Sequence, residues 1–274
     1  MKLCRFQPLV FRANQVSHTA RDAGQATHPE PRAGVITGET VREITGDFFG
    51  QWRATERAWR LEEVKLLPPV VPSKIICLGR NYVEHAAELG HEVPKEPLIF
   101  LKPLSAVIGP EEPIVLPPIS QRVDYEGELA VVIGRLCSQL APDADVRPYI
   151  LGFTCLNDVT ARDLQKADGQ WTRAKGFDTF CPLGPVLETE LDLAATPIET
   201  YVNGQRRQSG STAQMVFPVD VIIRWVSRMM TLVPGDVLST GTPAGVGPLH
   251  AGDVVEVVVG GVGTLRNPVI AAES

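Results

Sequence analysis

Three carboxylates stand where a chain rarely leaves charge unpaired. In the stretch VDYEGELAVVIG, two-residue alternation puts Glu126 and Glu128 on one face with Ala130 and Val132, and Tyr125, Gly127, Leu129 and Val131 on the other. Both faces turn apolar within a few residues. The two acids therefore end a strand buried on both sides, where an uncompensated charge is costly or shifts its pKa. A divalent cation meets that need, because it offsets like-charge repulsion. Hard oxygen donors favour Mg2+ or Mn2+, with Ca2+ also admitted, over zinc. Spacing alone fits equally an exposed strand end with solvated glutamates. Asp158, directly after the apolar run YILGFTCLN, adds a third acid at a strand terminus. Taken singly it serves as well to cap the following VTARDLQ.

Other residues offer acid–base and anion-binding chemistry. His85 and Glu88 lie at i and i+3 on a short helical stretch, so the carboxylate orients the imidazole, although a surface His beside a Glu has the same spacing. His91 and Glu92 form no metalloprotease motif and read as solvated. Lys175, in a Gly- and aromatic-rich stretch after Trp171, offers an ammonium to a substrate carboxylate or enolate oxygen, or is a surface lysine. Gln165 and Asp163 line or brace a pocket, and Arg80 pairs with substrate or with a structural acid. The loop STGTPAGVG combines Gly241, Gly245 and Gly247 with hydroxyls, so its amides suit a carboxylate, with Thr242 the preferred contact. A plain glycine turn is the alternative. The chain has no G-x-S-x-G, no P-loop and no dinucleotide-binding glycine motif.

The elements that must carry these residues follow from composition and period. Of 274 residues 44% are hydrophobic and 21% charged, while 24 Gly and 23 Pro imply many turns, so we expect a strand-rich, mixed α+β, enzyme-like fold. Basic residues number 26 against 32 acidic, a net charge of −6 without a long basic tract, which argues against nucleic acid as a partner. Five scattered cysteines form no C-x-x-C pair and read as reduced, mostly buried thiols. The most hydrophobic helical run carries Arg224 and Arg228, so we expect no membrane association and a cytoplasmic location.

Residues 33–45 alternate about a Gly38-Glu39 turn and read as a hairpin, while 13–32 read as a long polar surface loop. Pro68, Pro69 and Pro72 interrupt helix and central strand alike, which divides a small N-terminal β domain, 1–69, from the remainder, 70–274. Beyond it, strands are expected at KIICLG, PLIFLK, GELAVVIG, YILGFTCLND, PLGPVLE and PIETYVNG, with two helices near 80–90 and 219–231. The echo PGDVLST and AGDVVEV reads as a Gly-Asp turn launching a strand, used twice.

Taken together, GRNYVEH (79–85), DYEGEL (124–129), NDVTARDLQ (157–165), WTRAKGFDTFCPLGP (171–185) and STGTPAGVG (239–247) resemble the fumarylacetoacetate hydrolase family in order and spacing. The resemblance covers essentially everything after residue 70. It implies a mixed β-roll or sandwich catalytic domain, a homodimer, and Glu126, Glu128 and Asp158 as metal ligands. It also implies His85 with Glu88 as a water-activating dyad and a functional Lys175.

The family's reactions are hydrolysis of acylpyruvates and related diketo acids, decarboxylation of oxaloacetate-like acids, and isomerisation of hydroxymuconate-type dienes. Hydrolysis and decarboxylation share an enolate. The dyad favours carbon–carbon hydrolysis of an acylpyruvate or fumarylpyruvate-type 2,4-dioxo acid, ahead of decarboxylation and then isomerisation. A catalytically silent metal-binding scaffold is the reading from another class. For the dimer, light scattering at micromolar concentration is expected to return the mass of two chains. The mass of one removes the dimer without touching the chemistry.

Overall fold

Strand Gly127–Ile133 organises the molecule, and all of its residues are buried. Leu129, Val131 and Ile133 enter one apolar cluster, while Ala130 and Val132 enter another on the opposite face. This is the two-sided burial that the alternation predicts. The structure is a computed structural model that describes residues 1–9 and 30–273. The central strand pairs antiparallel with Ile150–Asn157 on one side and with Val237–Ser239 on the other.

From this centre the sheet runs one way through Ile75–Gly79 to Leu98–Lys102, and the other way through Cys181–Glu188 to Lys2–Pro8. It then continues through Arg32–Thr37 and Thr40–Gly46 to Trp52–Arg60. Val237–Ser239 and Ile75–Gly79 pair in parallel, so the sheet is mixed. A five-stranded sheet covers one face: its Ile198, Val257, Val259 and Leu265 share a cluster with Leu129, Val131 and Phe153. Each such side chain withdrawn from water contributes roughly 1.5–3 kcal/mol. The strand-rich α+β architecture expected from composition is the one that forms.

The hairpin closes with Thr37 opposite Thr40, and Gly38 takes the positive φ of 57° that the two-residue turn requires. Gly235 and Gly252, φ 91° and 94°, launch the two echoed strands. All five cysteines are buried and free. Among the described residues, no helix is long and apolar enough to cross a membrane. Of the loop expected at 13–32, residues 13–29 lie outside the described residues, and Arg32 already opens a strand.

The helices depart from expectation. The first, α1, is Val83–Glu88. Two further short helices follow, α2 at Arg162–Asp168 and α3 at Thr172–Lys175. The last, α4, is Val219–Ser227, shorter than 219–231, and buries Val219, Ile222, Ile223 and Val226. One or two turns leave too few apolar positions to show a period; α2 buries only Arg162 and Leu164 before Gly169 ends it at φ 72°. Strand Gln205–Ser211 was equally invisible. It is polar because it edges the five-stranded sheet, and only Gln208 is buried along it.

Gly127 starts the central strand between the two glutamates. A Cβ there would lie 2.1 Å from Thr200 Oγ1 and 3.2 Å from Val257 Cγ1. Gly127→Ala is expected to cost about 1–3 kcal/mol by overpacking, read as a lower urea midpoint. An unchanged midpoint means that this junction yields freely.

Candidate metal centre and active site

Glu126 falls at the break between strands Val123–Tyr125 and Gly127–Ile133, Glu128 lies inside the second, and Asp158 follows Ile150–Asn157. The antiparallel pairing brings Gly127 opposite Asn157, and Asp158 N–H donates to Glu126 O at 2.9 Å. This register collects the three acids: ligand oxygens of Glu126, Glu128 and Asp158 lie within 4.8 Å of one another, and all three residues are buried. The solvated alternative for the glutamates does not hold.

No basic residue neighbours these acids in sequence, yet three buried cations reach them through space. Lys102, at the end of its strand, donates to Asp158 Oδ1 at 2.6 Å. Lys175, on α3, donates to Glu126 Oε2 at 3.0 Å, to Thr160 Oγ1 at 2.8 Å and to Asp158 Oδ2. Arg162, on α2, spans Asp124 Oδ2 at 2.9 Å and Glu126 Oε1 at 2.5 Å, and also donates to Gln165 Oε1 at 2.7 Å. Among the described residues, Glu128 has no cation bonded to it and accepts only from Ser239 Oγ and Gly241 N–H.

The charges follow from these partners. Burial opposes ionisation of Glu126, but Lys175 and Arg162 outweigh it and hold the carboxyl well below the usual range. Burial, reinforced by Asp158, pushes Glu128 well above that range. Lys175 is held above its ordinary value because Asp158 and Glu126 overcome its burial. Hard oxygens converge here and Glu128 lacks positive charge, so the donor set fits a divalent cation.

A cavity of about 310 Å3 opens on Glu126 and Glu128, walled by His85, Arg162, Trp171 and Lys175. His85 is buried, and its Nδ1 has no hydrogen-bond partner among the described residues and lies 3.6 Å from Glu88 Oε2. Burial lowers the imidazole pKa, partly countered by Glu126, and so favours the neutral ring. Gly245 N–H donates to both Glu88 oxygens, at 3.2 and 3.1 Å. Arg80 and Gln165 line the cavity, whereas Asp163 braces the chain at Ser120 and Gln121. His91 and Glu92 are exposed, and His91 borders the cavity mouth.

The glycine loop's polar groups are engaged within the protein, and Thr242 also lines the cavity. Gly241 N–H is taken by Glu128, and Thr242 Oγ1 donates to Gly127 O at 2.8 Å while accepting from Gln208 Nε2 at 2.7 Å. These groups hold the protein's own carboxylate strand, which leaves Gly241 N–H and the Thr242 hydroxyl engaged before any substrate arrives. Lys102, Arg162 and Gln208 were missed by sequence reasoning. For Lys102 and Arg162, the only signal was a basic residue closing an apolar strand or preceding a polar helix, and surface residues share it.

Residues 74–270 match the family model described as fumarylacetoacetate (FAA) hydrolase C-terminal, and residues 26–69 match the one described as Rv2993c-like, N-terminal. The chain is similar to Protein Rv2993c of Mycobacterium tuberculosis, 50% identical over 84% of this chain and 88% of that protein. It is similar to the human mitochondrial oxaloacetate tautomerase FAHD2A, 47% identical over 76% of this chain and 70% of that protein. The crystal structure of 5-carboxymethyl-2-hydroxymuconate delta-isomerase from Mycobacterium smegmatis superposes with TM-score 0.85 at 43% identity, covering 99% of this chain and 100% of that one.

Lys102→Met leaves Asp158 one cation short in a buried setting. It is expected to cost about 3–5 kcal/mol of stability, partly recovered in Mg2+, as measured by urea unfolding with and without the ion. An unchanged midpoint in metal-free buffer removes Lys102 from the charge balance.

Proposed function

The chain belongs to the fumarylacetoacetate hydrolase family, and from that premise we propose a divalent-metal-dependent enzyme that moves a proton at the carbon beside the carbonyl of a small 2-oxo acid. The reaction is a keto–enol tautomerisation or the related isomerisation. The observation that carries this reading is that Glu126 and Glu128, two of three clustered buried carboxylates, face one cavity with a buried His85 whose Nδ1 has no hydrogen-bond partner among the described residues. The names of the human and M. smegmatis relatives, a tautomerase and an isomerase, support it.

Glu126, Glu128 and Asp158 would hold the cation, Mg2+ or Mn2+ by their oxygen set, which supplies a Lewis acid for the carbonyl and its enolate. Lys175 holds its ammonium beside Glu126 and Asp158 and 4.8 Å from the centre of the Phe100 ring, where it stabilises negative charge as it develops. His85, neutral when substrate arrives, takes the proton from carbon and returns it at the other position. Glu88, fixed by Gly245 N–H, stabilises the imidazolium in between. Gln165, pinned by Arg162, orients the substrate. Thr242 and Gly241 keep Gly127 and Glu128 in place.

The dyad also favours a second reading, hydrolysis of an acylpyruvate or fumarylpyruvate, in which His85 takes its proton from water and the carbon–carbon bond breaks to the same enolate. Decarboxylation of oxaloacetate needs that enolate and no base.

Exchange of the C3 protons of oxaloacetate and acetylpyruvate in D2O, followed by NMR, tests the proposal. His85→Ala is expected to slow exchange by about 10²–10⁴, and chelation to abolish it. Unchanged exchange in that variant removes His85 as the base. Exchange that survives metal removal, verified by elemental analysis, contradicts the metal. Release of acetate from acetylpyruvate at the exchange rate selects hydrolysis, and bound metal without exchange or cleavage selects a silent scaffold.

A further inference from the structure

Arg162 uses every nitrogen of its guanidinium. Nε donates to Asp124 Oδ2 at 2.9 Å, one terminal nitrogen to Glu126 Oε1 at 2.5 Å, and the other to Gln165 Oε1 at 2.7 Å. Gln165 follows three residues later on α2, so the two side chains share a face of the helix. An arginine nitrogen only donates, so the amide oxygen of Gln165 must be the end that faces it. The amide NH2 is thereby turned away from Arg162. It donates to nothing among the described residues, and Gln165 lines the cavity.

Asp124 fixes the guanidinium from behind. It is completely buried, and Arg122 closes on it from outside, with Nε donating to Oδ1 at 2.8 Å and a terminal nitrogen to Oδ2 at 3.2 Å. The backbone enforces the same arrangement: Asp124 pairs with Thr160 across the ladder, and Arg162 N–H donates to Arg122 O at 2.7 Å. Asp124 is not among the residues that line the cavity, so it meets the site only through Arg162. A buried ion pair contributes little net stability, since apolar side chains of the same volume commonly serve as well. What this one supplies is direction. With Nε held, the plane of the rigid fork is set and both terminal nitrogens are aimed.

We propose that Asp124 is a positioning residue for the substrate: through Arg162 it holds Gln165 with its amide NH2 presented to the cavity, so that Gln165 donates to an oxygen of the bound acid. The inference rests on the 2-oxo acid reading above and adds to it a residue that does not reach the cavity. An amide free to turn would meet the substrate's oxygens with its own oxygen part of the time. The Asp124–Arg162 clamp removes that orientation before binding, which is the advantage of a preorganised donor.

A double-mutant cycle on C3 exchange of oxaloacetate in saturating Mg2+ tests this. Gln165→Met removes the amide at nearly constant length and is expected to raise KM about 10- to 100-fold. Asp124→Asn and the charge-conserving Asp124→Glu both disturb the aim of Arg162. Each is expected to raise KM about 3- to 10-fold alone and less than about 2-fold in the Gln165→Met background. A general loosening of the fold, or a changed charge felt at Glu126, acts in both backgrounds alike. Equal factors in the two backgrounds, or no change in KM, therefore overturn the proposal.

NMR of the Gln165 side-chain amide, identified as the signal lost in Gln165→Met, gives a readout that needs no turnover. The signal is expected to shift in the Asp124 variants without ligand, and in the unaltered protein when pyruvate is added in Mg2+. A signal indifferent to Asp124, or one unmoved by pyruvate in a protein that exchanges its protons, overturns the positioning. A signal that moves with Asp124 in a protein that exchanges no 2-oxo acid upholds the positioning and discards the 2-oxo acid reading instead.

Discussion

Buried charge balance is the constraint on which the site depends. Four buried carboxylates, Asp124, Glu126, Glu128 and Asp158, face three buried cations, Lys102, Arg162 and Lys175. In a low-dielectric interior each ion must be paired and hydrogen-bonded, or it neutralises. Asp158 has two lysines, and Glu126 a lysine and an arginine. Glu128 has a hydroxyl and an amide. With Arg122 also paired to Asp124, Glu128 is the one of the four acids to which no cation among the described residues is bonded, which is where a cationic cofactor would add its charge. The sheet register, Gly127 opposite Asn157, makes this balance possible by setting two strand ends side by side.

The glycine loop solves a second part of the same problem. A loop of exposed amides is usually read as a receptor for a ligand's oxyanion. Here Gly241 N–H faces Glu128 and Gly245 N–H faces Glu88, so two amides serve the protein's own acids. Gln208 completes the arrangement from the sheet edge: its Oε1 accepts from Gly127 N–H at 2.9 Å, and its Nε2 donates to Thr242 Oγ1 and to Pro243 O, each at 2.7 Å. The junction between Glu126 and Glu128 is thereby tied to the loop that supports α1, and the strand carrying Glu128 and the His85 helix share one scaffold.

Legibility in the sequence followed the range of the interactions. The strand Gly127–Ile133, the hairpin about Gly38 and the Gly-Asp turns were readable because alternation and turn chemistry are local. The three acids were readable because their burial was anomalous. Their compensation was not. Lys102 lies 56 residues from Asp158, and Arg162 is 36 from Glu126, separations that pattern alone does not bridge. Helices α2 and α3 were missed for a related reason: their sequences answer to buried acids rather than to an apolar face, so Arg162 and Lys175 point inward where an amphipathic pattern would place Leu or Val. The family motifs carried that information, since WTRAKGFD and NDVTARDLQ preserve these two cations as part of a spacing.

A network of this kind also governs how substitutions should be interpreted. Lys175 touches both Glu126 and Asp158, and Arg162 touches Asp124, Glu126 and Gln165, so removing one member changes the charge felt by all the others. Effects of residues in one network are not additive, and changing Lys175 would combine the loss of any contact its ammonium makes to substrate with a repulsion newly felt between carboxylates. Arg80 stands outside that coupling: it has no carboxylate partner among the described residues, its guanidinium lies over the Trp171 ring, and Asn81 clamps the backbone beside it.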